Sequence, residues 1–416
     1  MTQANSDARP LPWGLLLLLV TAMIVSFFDR GNLGVAAPVL GPQLGLSDWE
    51  MGVLLSSFFW TYAVAQIGAG WLVDRIEVRI VYAYGFLLWS LATLSTAMVS
   101  TFAGLLSMRL LLGLGESVTY PATSRILAAT VPEERRGLAN SLIDMGARFG
   151  PALGTMCGAL LVGSFGWRGL FVVTGVAALV WLPVWLARAP RTTPARRDAP
   201  SRETIGWPEL LRRRAVWGTC GGLCGANYAW YFLLTWLPSY LVRERHFTLN
   251  AVAIWGAMPY LFIAVSSMSC GILADRRISR GADPVRVRRG FLVTGLILTA
   301  LLLPAVLVER IEFAVAGLFL SCLAFGIYAS NLFALTQALA GPEAAGRWTG
   351  LQNACGNLAG IVSPMVTGWI VTRTGKFGFA FLAAGLACLL GASSFGFLVR
   401  AHEQTPNPNR LAHNGR

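Results

Sequence analysis

Apolar stretches of about twenty residues recur along the whole chain, and no other feature of the sequence constrains the fold as strongly. A helix of that length crosses the hydrocarbon core of a bilayer. Only 13% of the 416 residues are charged, whereas roughly 25% is usual in soluble domains. We therefore predict an all-α integral membrane protein. The short loops argue against a separate enzymatic domain.

We predict twelve transmembrane helices. They span residues 13–37, 50–73, 80–99, 102–128, 137–162, 168–187, 215–241, 250–274, 289–308, 312–338, 348–371 and 377–399. The first stretch lacks a small-residue cleavage site and contains Asp29 and Arg30, so we interpret it as a retained span and not as a signal peptide.

The net charge of +13 is distributed unevenly between the loops. Residues 188–214 hold eight arginines and residues 276–289 hold six, whereas the intervening loops hold few. This bias places both termini in the cytoplasm. It also favours contact with lipid headgroups over nucleic-acid binding as the reason for the basic charge.

Four ionisable residues stand out inside long apolar runs: Asp29, Arg30, Arg109 and Glu116. A charge at bilayer depth costs about 2.5–3.5 kcal/mol on insertion scales, so such residues usually serve a function. Two acids and two bases together suggest a polar site that handles protons and an anion. The alternative is an internal salt-bridge network that serves only the structure.

The sequence offers little for metal or cofactor chemistry. The seven cysteines fall within predicted spans and suggest neither a disulfide framework nor a metal site. The three histidines lie in a loop and in the C-terminal tail, so proton transfer inside the membrane cannot depend on them. We expect no cofactor apart from protons as the coupling ion.

The two halves of the chain repeat one design. A proline- and arginine-rich stretch, 188–214, interrupts the spans and is predicted to be a cytoplasmic linker between six-helix bundles at 1–187 and 215–416. A Gly-x3-Asp-Arg element ends the second span of each half, at Gly70 to Arg75 and at Gly271 to Arg276. Parallel six-helix repeats are a known transporter architecture.

With this motif the chain resembles the major facilitator superfamily over nearly its whole length. The first copy departs from the usual pattern, because Glu77 stands where a glycine is common. The resemblance implies a fold of two pseudo-symmetric six-helix bundles. It also implies a gating role, without substrate contact, for Asp74, Arg75, Asp275 and Arg276.

Three segments resemble a narrower family, the anion:cation symporters. They are Phe28 to Pro38 with its Asp-Arg pair, Arg109 to Glu116, and Asn227 to Leu241, the last being the most specific. That family includes bacterial carriers of galactonate, glucarate, hexuronates and aromatic acids, and more distantly sialin and the vesicular glutamate transporters. The resemblance implies that Asp29 and Glu116 carry protons and that an arginine binds the substrate carboxylate.

Helical geometry adds a prediction about these groups. Arg109 and Glu116 are seven residues apart, so they share one helix face about 10 Å apart along the axis. Asp29 and Arg30 are adjacent and point about 100° apart, so they cannot simply pair with each other. We expect Arg30 to face a bound anion, and Asp29 to contact neighbouring helices or Arg109.

Neutral residues are further candidates for substrate contact. They are Tyr62 in the second span, Asn227 and Tyr231 in the seventh, Ser330 and Asn331 in the tenth, and Asn353 and Asn357 in the eleventh. Small polar residues also form hydrogen bonds that only join helices, and this reading stays open for each of them.

The fifth span leaves two further alternatives. Arg148 is either a third cation facing the cavity or neutralised by Asp144, four residues earlier. Gly146, Gly150, Pro151 and Gly154 resemble a Gly-Pro motif that is associated with antiporters, although such glycines also serve close helix packing.

The predicted function is proton-coupled import of a small organic anion, a sugar acid such as an aldonate, aldarate or hexuronate, by alternating access. We place the protein in a bacterial inner membrane, as a monomer whose partners are the anion, protons and lipid. The alternative is a proton-driven exporter or an anion exchanger of organic acids, including aromatic acids. A ligand sensor without transport is a second alternative, which the short tails disfavour.

Overall fold

The computed structural model describes residues 12–131, 133–191 and 207–399, and within these ranges the chain forms helices and no strand. The helices are α1 (Trp13–Leu44), α2 (Asp48–Arg75), α3 (Val78–Thr96), α4 (Phe102–Glu116), α5 (Thr119–Thr130), α6 (Glu133–Arg188), α7 (Trp207–Arg212), α8 (Arg214–Arg243), α9 (Leu249–Trp255), α10 (Met258–Ser279), α11 (Pro284–Leu302), α12 (Ile311–Ala329), α13 (Leu332–Thr374) and α14 (Gly378–Leu398). A 3-10 turn, Leu303–Leu307, follows α11. The all-α prediction is confirmed.

Ten of the described segments are long and apolar enough to cross a membrane. The predicted spans 137–162 and 168–187 lie on either side of Gly166, whose φ of 69° and ψ of 175° are not helical, so α6 consists of two helical stretches joined at a kink. The predicted span 215–241 is helical in α8, but it is not among the ten apolar segments. The chain is a multi-pass membrane protein, and the count of twelve stays a prediction.

The chain folds as two compact units. Unit 1 combines Met1–Arg197 with Leu234–Ala257, and unit 2 combines Asp198–Leu233 with Met258–Arg416. The predicted division into 1–187, a linker and 215–416 differs from these two units at one segment, Leu234–Ala257. The last third of α8, from Leu234, and all of α9 pack with unit 1, where the Cβ of any residue replacing Gly34 would lie 2.8 Å from the carbonyl oxygen of Thr235.

Local sequence signals set the helix ends. α1 stops at Gly45, whose φ of 65° requires a residue without a side chain. Ser47 begins α2 with a reciprocal capping box, in which its hydroxyl accepts from the Glu50 amide and Glu50 accepts from the Ser47 amide. Asp283 caps α11 directly before Pro284.

Glycines let α4 pack closely between α2 and α3. A Cβ at Gly113 would collide with the backbone carbonyl of Phe58 on α2. One at Gly115 would lie 2.7 Å from the amide nitrogen of Trp89 on α3. Because both neighbours are backbone atoms, only glycine permits these crossings, and they bring the Arg109 and Glu116 face of α4 against its neighbours.

The glycines of the predicted Gly-Pro motif serve packing of α6 on α1. A Cβ at Gly146 would lie 3.0 Å from the carbonyl oxygen of Val20, and one at Gly150 would lie 2.6 Å from the Cβ of Phe27. Gly154 comes similarly close to Phe28. The close-packing interpretation therefore explains these positions without an antiporter role.

The residues of the repeated Asp-Arg motif lie at helix ends. Asp275 pairs with Arg288 on α11 at 3.8 Å, and Arg288 also donates to the carbonyl of Ala334 on α13 at 2.6 Å. Arg276 is exposed, and Arg75 stacks on the ring of Trp71 at 3.9 Å. The Asp74 side chain lies outside the described residues. The predicted gating role stays a prediction.

Candidate functional site

Unit 1 buries all four ionisable residues singled out in the sequence. Asp29, Arg30, Arg109 and Glu116 are each at most 5% exposed. Arg30 on α1 donates from Nε to Oε2 of Glu116 on α4 at 2.7 Å, and Ser26 donates its hydroxyl to the same oxygen at 2.7 Å. The centre of the site is therefore a buried ion pair between α1 and α4.

Aromatic rings surround the Arg30 guanidinium. Its central carbon lies 4.5 Å from the ring centre of Phe27, 4.6 Å from that of Tyr62 and 5.0 Å from that of Phe58. Phe58 and Tyr62 stack on each other at 5.1 Å. These contacts stabilise the cation and fix the plane of its donors.

The second cation, Arg109, bonds to backbone. Its Nε donates to the carbonyl of Leu54 at 3.3 Å, and its Nη2 donates to the carbonyl of Leu55 at 3.5 Å, both on α2. Glu116 and Asp29 are close enough to act on it electrostatically. A guanidinium carries five N–H donors, so Arg109 keeps donors for an anion.

The second acid, Asp29, has its own hydrogen-bond partners within the cluster. Its Oδ1 accepts from the Asn32 amide at 2.9 Å, and the same amide donates to Thr174 on α6 at 3.3 Å. Thr93 on α3 faces the carboxyl, and Glu116 and Arg109 act on it electrostatically. The prediction that Asp29 contacts neighbouring helices agrees with this arrangement.

One pairing and two residues of the site were not predicted. The hydrogen-bonded cation of Glu116 is Arg30. The expectation that Arg30 faces a bound anion stays a prediction. Ser26 and Asn32 were missed, although Ser26 precedes Arg30 by four residues and Asn32 follows Asp29 by three, which are the spacings that share a helix face.

The neutral candidates of unit 2 join helices to one another. Asn227 donates to the carbonyl of Gly356 at 3.1 Å, and Tyr231 donates to Oδ1 of Asn357 at 3.1 Å, so both connect α8 to α13. Asn353 is exposed. These bonds match the helix-joining interpretation of Asn227 and Tyr231, which does not exclude ligand contact by their remaining polar atoms.

Two other candidates lie at special backbone positions. Ser330 donates to the carbonyl of Ile327 at the break between α12 and α13, and Asn331 donates to Ser330. Arg148 is half-buried on α6. The side chain of Asp144, its predicted partner, lies outside the described residues.

Unit 1 also contains a cavity that the sequence did not indicate. The cavity has a volume of about 250 Å³ and is lined by α1, the start of α2 and the last third of α8. Its wall includes Trp236, Ser239 and the ion pair between Arg243 and Asp48. Among the described residues, no group of three His, Cys, Asp or Glu side chains is arranged to hold a metal ion.

Comparison with known proteins identifies the family. The sequence matches the Major Facilitator Superfamily over residues 19–282 and 282–415. The "Probable L-galactonate transporter" of Escherichia coli (strain K12) is 27% identical over 96% of this chain and 92% of its own length. The "Probable galactarate/D-glucarate transporter GarP" of the same strain is 28% identical, over 92% and 93%.

Further comparisons agree. The "Probable sulfoacetate transporter SauU" of Cupriavidus necator is 29% identical over 92% of this chain and 93% of its own. A crystal structure of a bacterial homologue of the human lysosomal transporter Spinster, inward-facing and unoccupied, matches the fold with a TM-score of 0.75 at 19% identity, covering 94% of this chain and 96% of that one. The predicted resemblance is confirmed, and the chain belongs to the major facilitator superfamily, whose members are membrane transporters and not enzymes.

Proposed function

We propose that the protein is a proton-coupled symporter that imports a small organic anion across a bacterial inner membrane by alternating access. One observation carries the proposal: a buried Arg30–Glu116 ion pair within a cluster that holds a second acid, Asp29, and a second base, Arg109. An ion pair kept only for stability is a poor explanation, because apolar packing often stabilises a buried site equally well.

The cations supply the anion site. A guanidinium binds a carboxylate through two parallel N–H···O bonds, and Arg30 presents its plane between three aromatic rings. Arg109 contributes a second buried positive charge, which interacts electrostatically with Glu116, Asp29 and Arg30. The Tyr62 hydroxyl, which accepts from Gln66 at 3.4 Å, can donate to a carboxylate or hydroxyl of the ligand.

A sugar acid fits this chemistry. Its carboxylate matches the arginines, and its hydroxyls match neutral donors and acceptors such as Asn227, Tyr231, Asn353 and Ser330. The printed names of the relatives include galactonate and galactarate/D-glucarate transporters, which supports an aldonate, aldarate or hexuronate. Arg148 favours a dicarboxylate if it binds the second carboxylate.

Proton coupling follows from competition for Arg30. An incoming carboxylate that binds Arg30 takes the cation away from Glu116. A carboxylate that loses its cation in a buried site is driven to bind a proton, because the uncompensated charge is costly. Substrate and proton binding then favour each other. The Asp-Arg motif residues at the helix ends regulate opening in this proposal.

Substrate binding should therefore tighten as the pH falls. The empty site holds two acids and two bases and is formally neutral, so a bound monoanion is balanced by one proton. We expect lower dissociation constants at pH 5.5 than at pH 7.5, and a weaker pH dependence in Asp29→Asn.

Thermal-shift titration of the purified protein measures this effect, because a ligand that binds the folded state raises its melting temperature. A panel of sugar acids and aromatic acids at both pH values identifies the ligand class as well. Binding that tightens with rising pH would contradict symport and support the exporter or anion-exchanger alternative.

A further inference from the structure

Unpartnered polar atoms concentrate along one seam of unit 1. In the described parts of α1, α3, α4 and α5, the buried atoms without a hydrogen-bond partner include Asp29 Oδ2, Asn32 Oδ1, Arg79 Nε, Tyr82 OH, Trp89 Nε1, Thr93 Oγ1, Glu116 Oε1, Thr119 Oγ1 and Thr123 Oγ1. Buried polar groups are nearly always paired, and internal water is the usual partner where protein atoms are not.

Some of these atoms face each other across a gap. The hydroxyl of Tyr82 on α3 faces Thr123 on α5, yet neither oxygen has a hydrogen bond of normal geometry. Thr93 faces the Asp29 carboxyl in the same way. One bridging water can satisfy two polar groups that lie near each other without a well-formed hydrogen bond between them.

These atoms follow one another along neighbouring helices. Thr119 and Thr123 follow Glu116 at intervals of three and four residues, so they continue along one side of α4 and α5. Tyr82 lies in the second turn of α3, close to the helix start at Val78. The seam thus leads from Glu116 towards the α2–α3 loop, on the side that the arginine distribution predicts to be cytoplasmic.

The ring of Tyr82 is held in place by aromatic contacts with α6. Its centre lies 4.9 Å from that of Trp185 and 5.8 Å from that of Trp181, and Trp185 donates to the carbonyl of Arg79 at 3.0 Å. A phenylalanine would keep these ring contacts. The buried hydroxyl is therefore unnecessary for packing and needs another explanation.

We propose that Tyr82, Thr119 and Thr123 bind a file of internal water that conducts protons between Glu116 and the inner face of the membrane. The inference rests on the proposed proton coupling and assigns its route. Each hydroxyl accepts a proton from one neighbour and donates its own to the next, so no group on the route changes its charge after a complete transfer. The route does not include the Arg30 guanidinium, whose N–H donors bind the anion in the proposed function.

Few charged groups act on this route. Glu116 on α4 is the charged group that influences Tyr82 electrostatically, and α6 presents Trp181 and Trp185 to it. Arg79, one turn earlier on α3, directs its guanidinium to the carbonyl of Leu186. The proton affinity at the buried end of the route is thus set by Glu116.

Tyr82→Phe tests the route in reconstituted vesicles. We expect uptake driven by a pH gradient to slow by about tenfold. Exchange of labelled for unlabelled substrate, which needs no net proton movement, should keep the wild-type rate. Transfer from H2O to D2O should slow the gradient-driven uptake more in Tyr82→Phe than in the wild type, because proton delivery becomes rate-limiting in the variant. Tyr328→Phe, at a buried tyrosine of unit 2, is the matched control.

Thr123→Val is a second, nearly isosteric variant and should behave like Tyr82→Phe. Wild-type gradient-driven uptake and a wild-type D2O effect in both variants would overturn the route. An equal loss of exchange and gradient-driven uptake would also overturn it, since that pattern indicates a structural role. Failure of the wild type to use a pH gradient at all would instead refute the proposed symport.

Discussion

Glu116→Gln should abolish substrate accumulation driven by a pH gradient while substrate exchange continues. Glutamine keeps the size of the side chain and resembles a permanently protonated acid. It can still accept hydrogen bonds from Ser26 and Arg30, which both bond to Oε2 in the native site. The variant should therefore fold and bind substrate, but it cannot release a proton after each cycle.

Reconstituted vesicles separate the two activities. Accumulation against a gradient measures coupling, and exchange between labelled and unlabelled substrate measures binding and movement of the carrier. Glu312→Gln, at an exposed acid in the first turn of α12, is the control and should behave as the wild type. If Glu116→Gln concentrates substrate as well as the wild type does, the coupling role of Glu116 is wrong.

Arg30→Lys should weaken substrate binding at least about tenfold, which corresponds to about 1.4 kcal/mol. Lysine keeps the positive charge and can still pair with Glu116. It loses the planar pair of donors and the stacking on Phe27, Phe58 and Tyr62. The loss should appear in the dissociation constant and not only in the transport rate.

A binding titration of the purified variant measures this effect. Arg168→Lys is the control, because Arg168 is exposed and donates to Ser100 away from the buried cluster. Arg109→Lys should also weaken binding. Wild-type affinity in both Arg30→Lys and Arg109→Lys would remove these residues from the anion site.

The sequence predicted the members of the charged cluster but not their pairing. Asp29, Arg30, Arg109 and Glu116 stood out because charge is rare within apolar spans. Helical periodicity predicted no simple Asp29–Arg30 pair. It could not reveal that Arg30 reaches Glu116, because that contact depends on how α1 and α4 are placed. The placement depends on crossings such as Gly113 against Phe58, which spacing along one helix does not encode.

The limits elsewhere have similar causes. Hydropathy predicted a break between residues 162 and 168, where Gly166 lies, but it could not show which residue leaves the helical conformation. The packing of Leu234–Ala257 with unit 1 depends on contacts between distant segments. Asn353 was chosen for its position one turn from Asn357; its side chain is exposed, and its contact with substrate stays a prediction.

Substrate-driven proton uptake by wild-type vesicles tests the central claim most directly. Vesicles containing a pH-sensitive dye, with equal pH on both sides and the membrane potential clamped, receive substrate on the outside only. The account predicts that the lumen acidifies as the anion enters, and that Glu116→Gln vesicles show no such signal. Entry of substrate without acidification, or with alkalinisation of the lumen, would contradict proton symport.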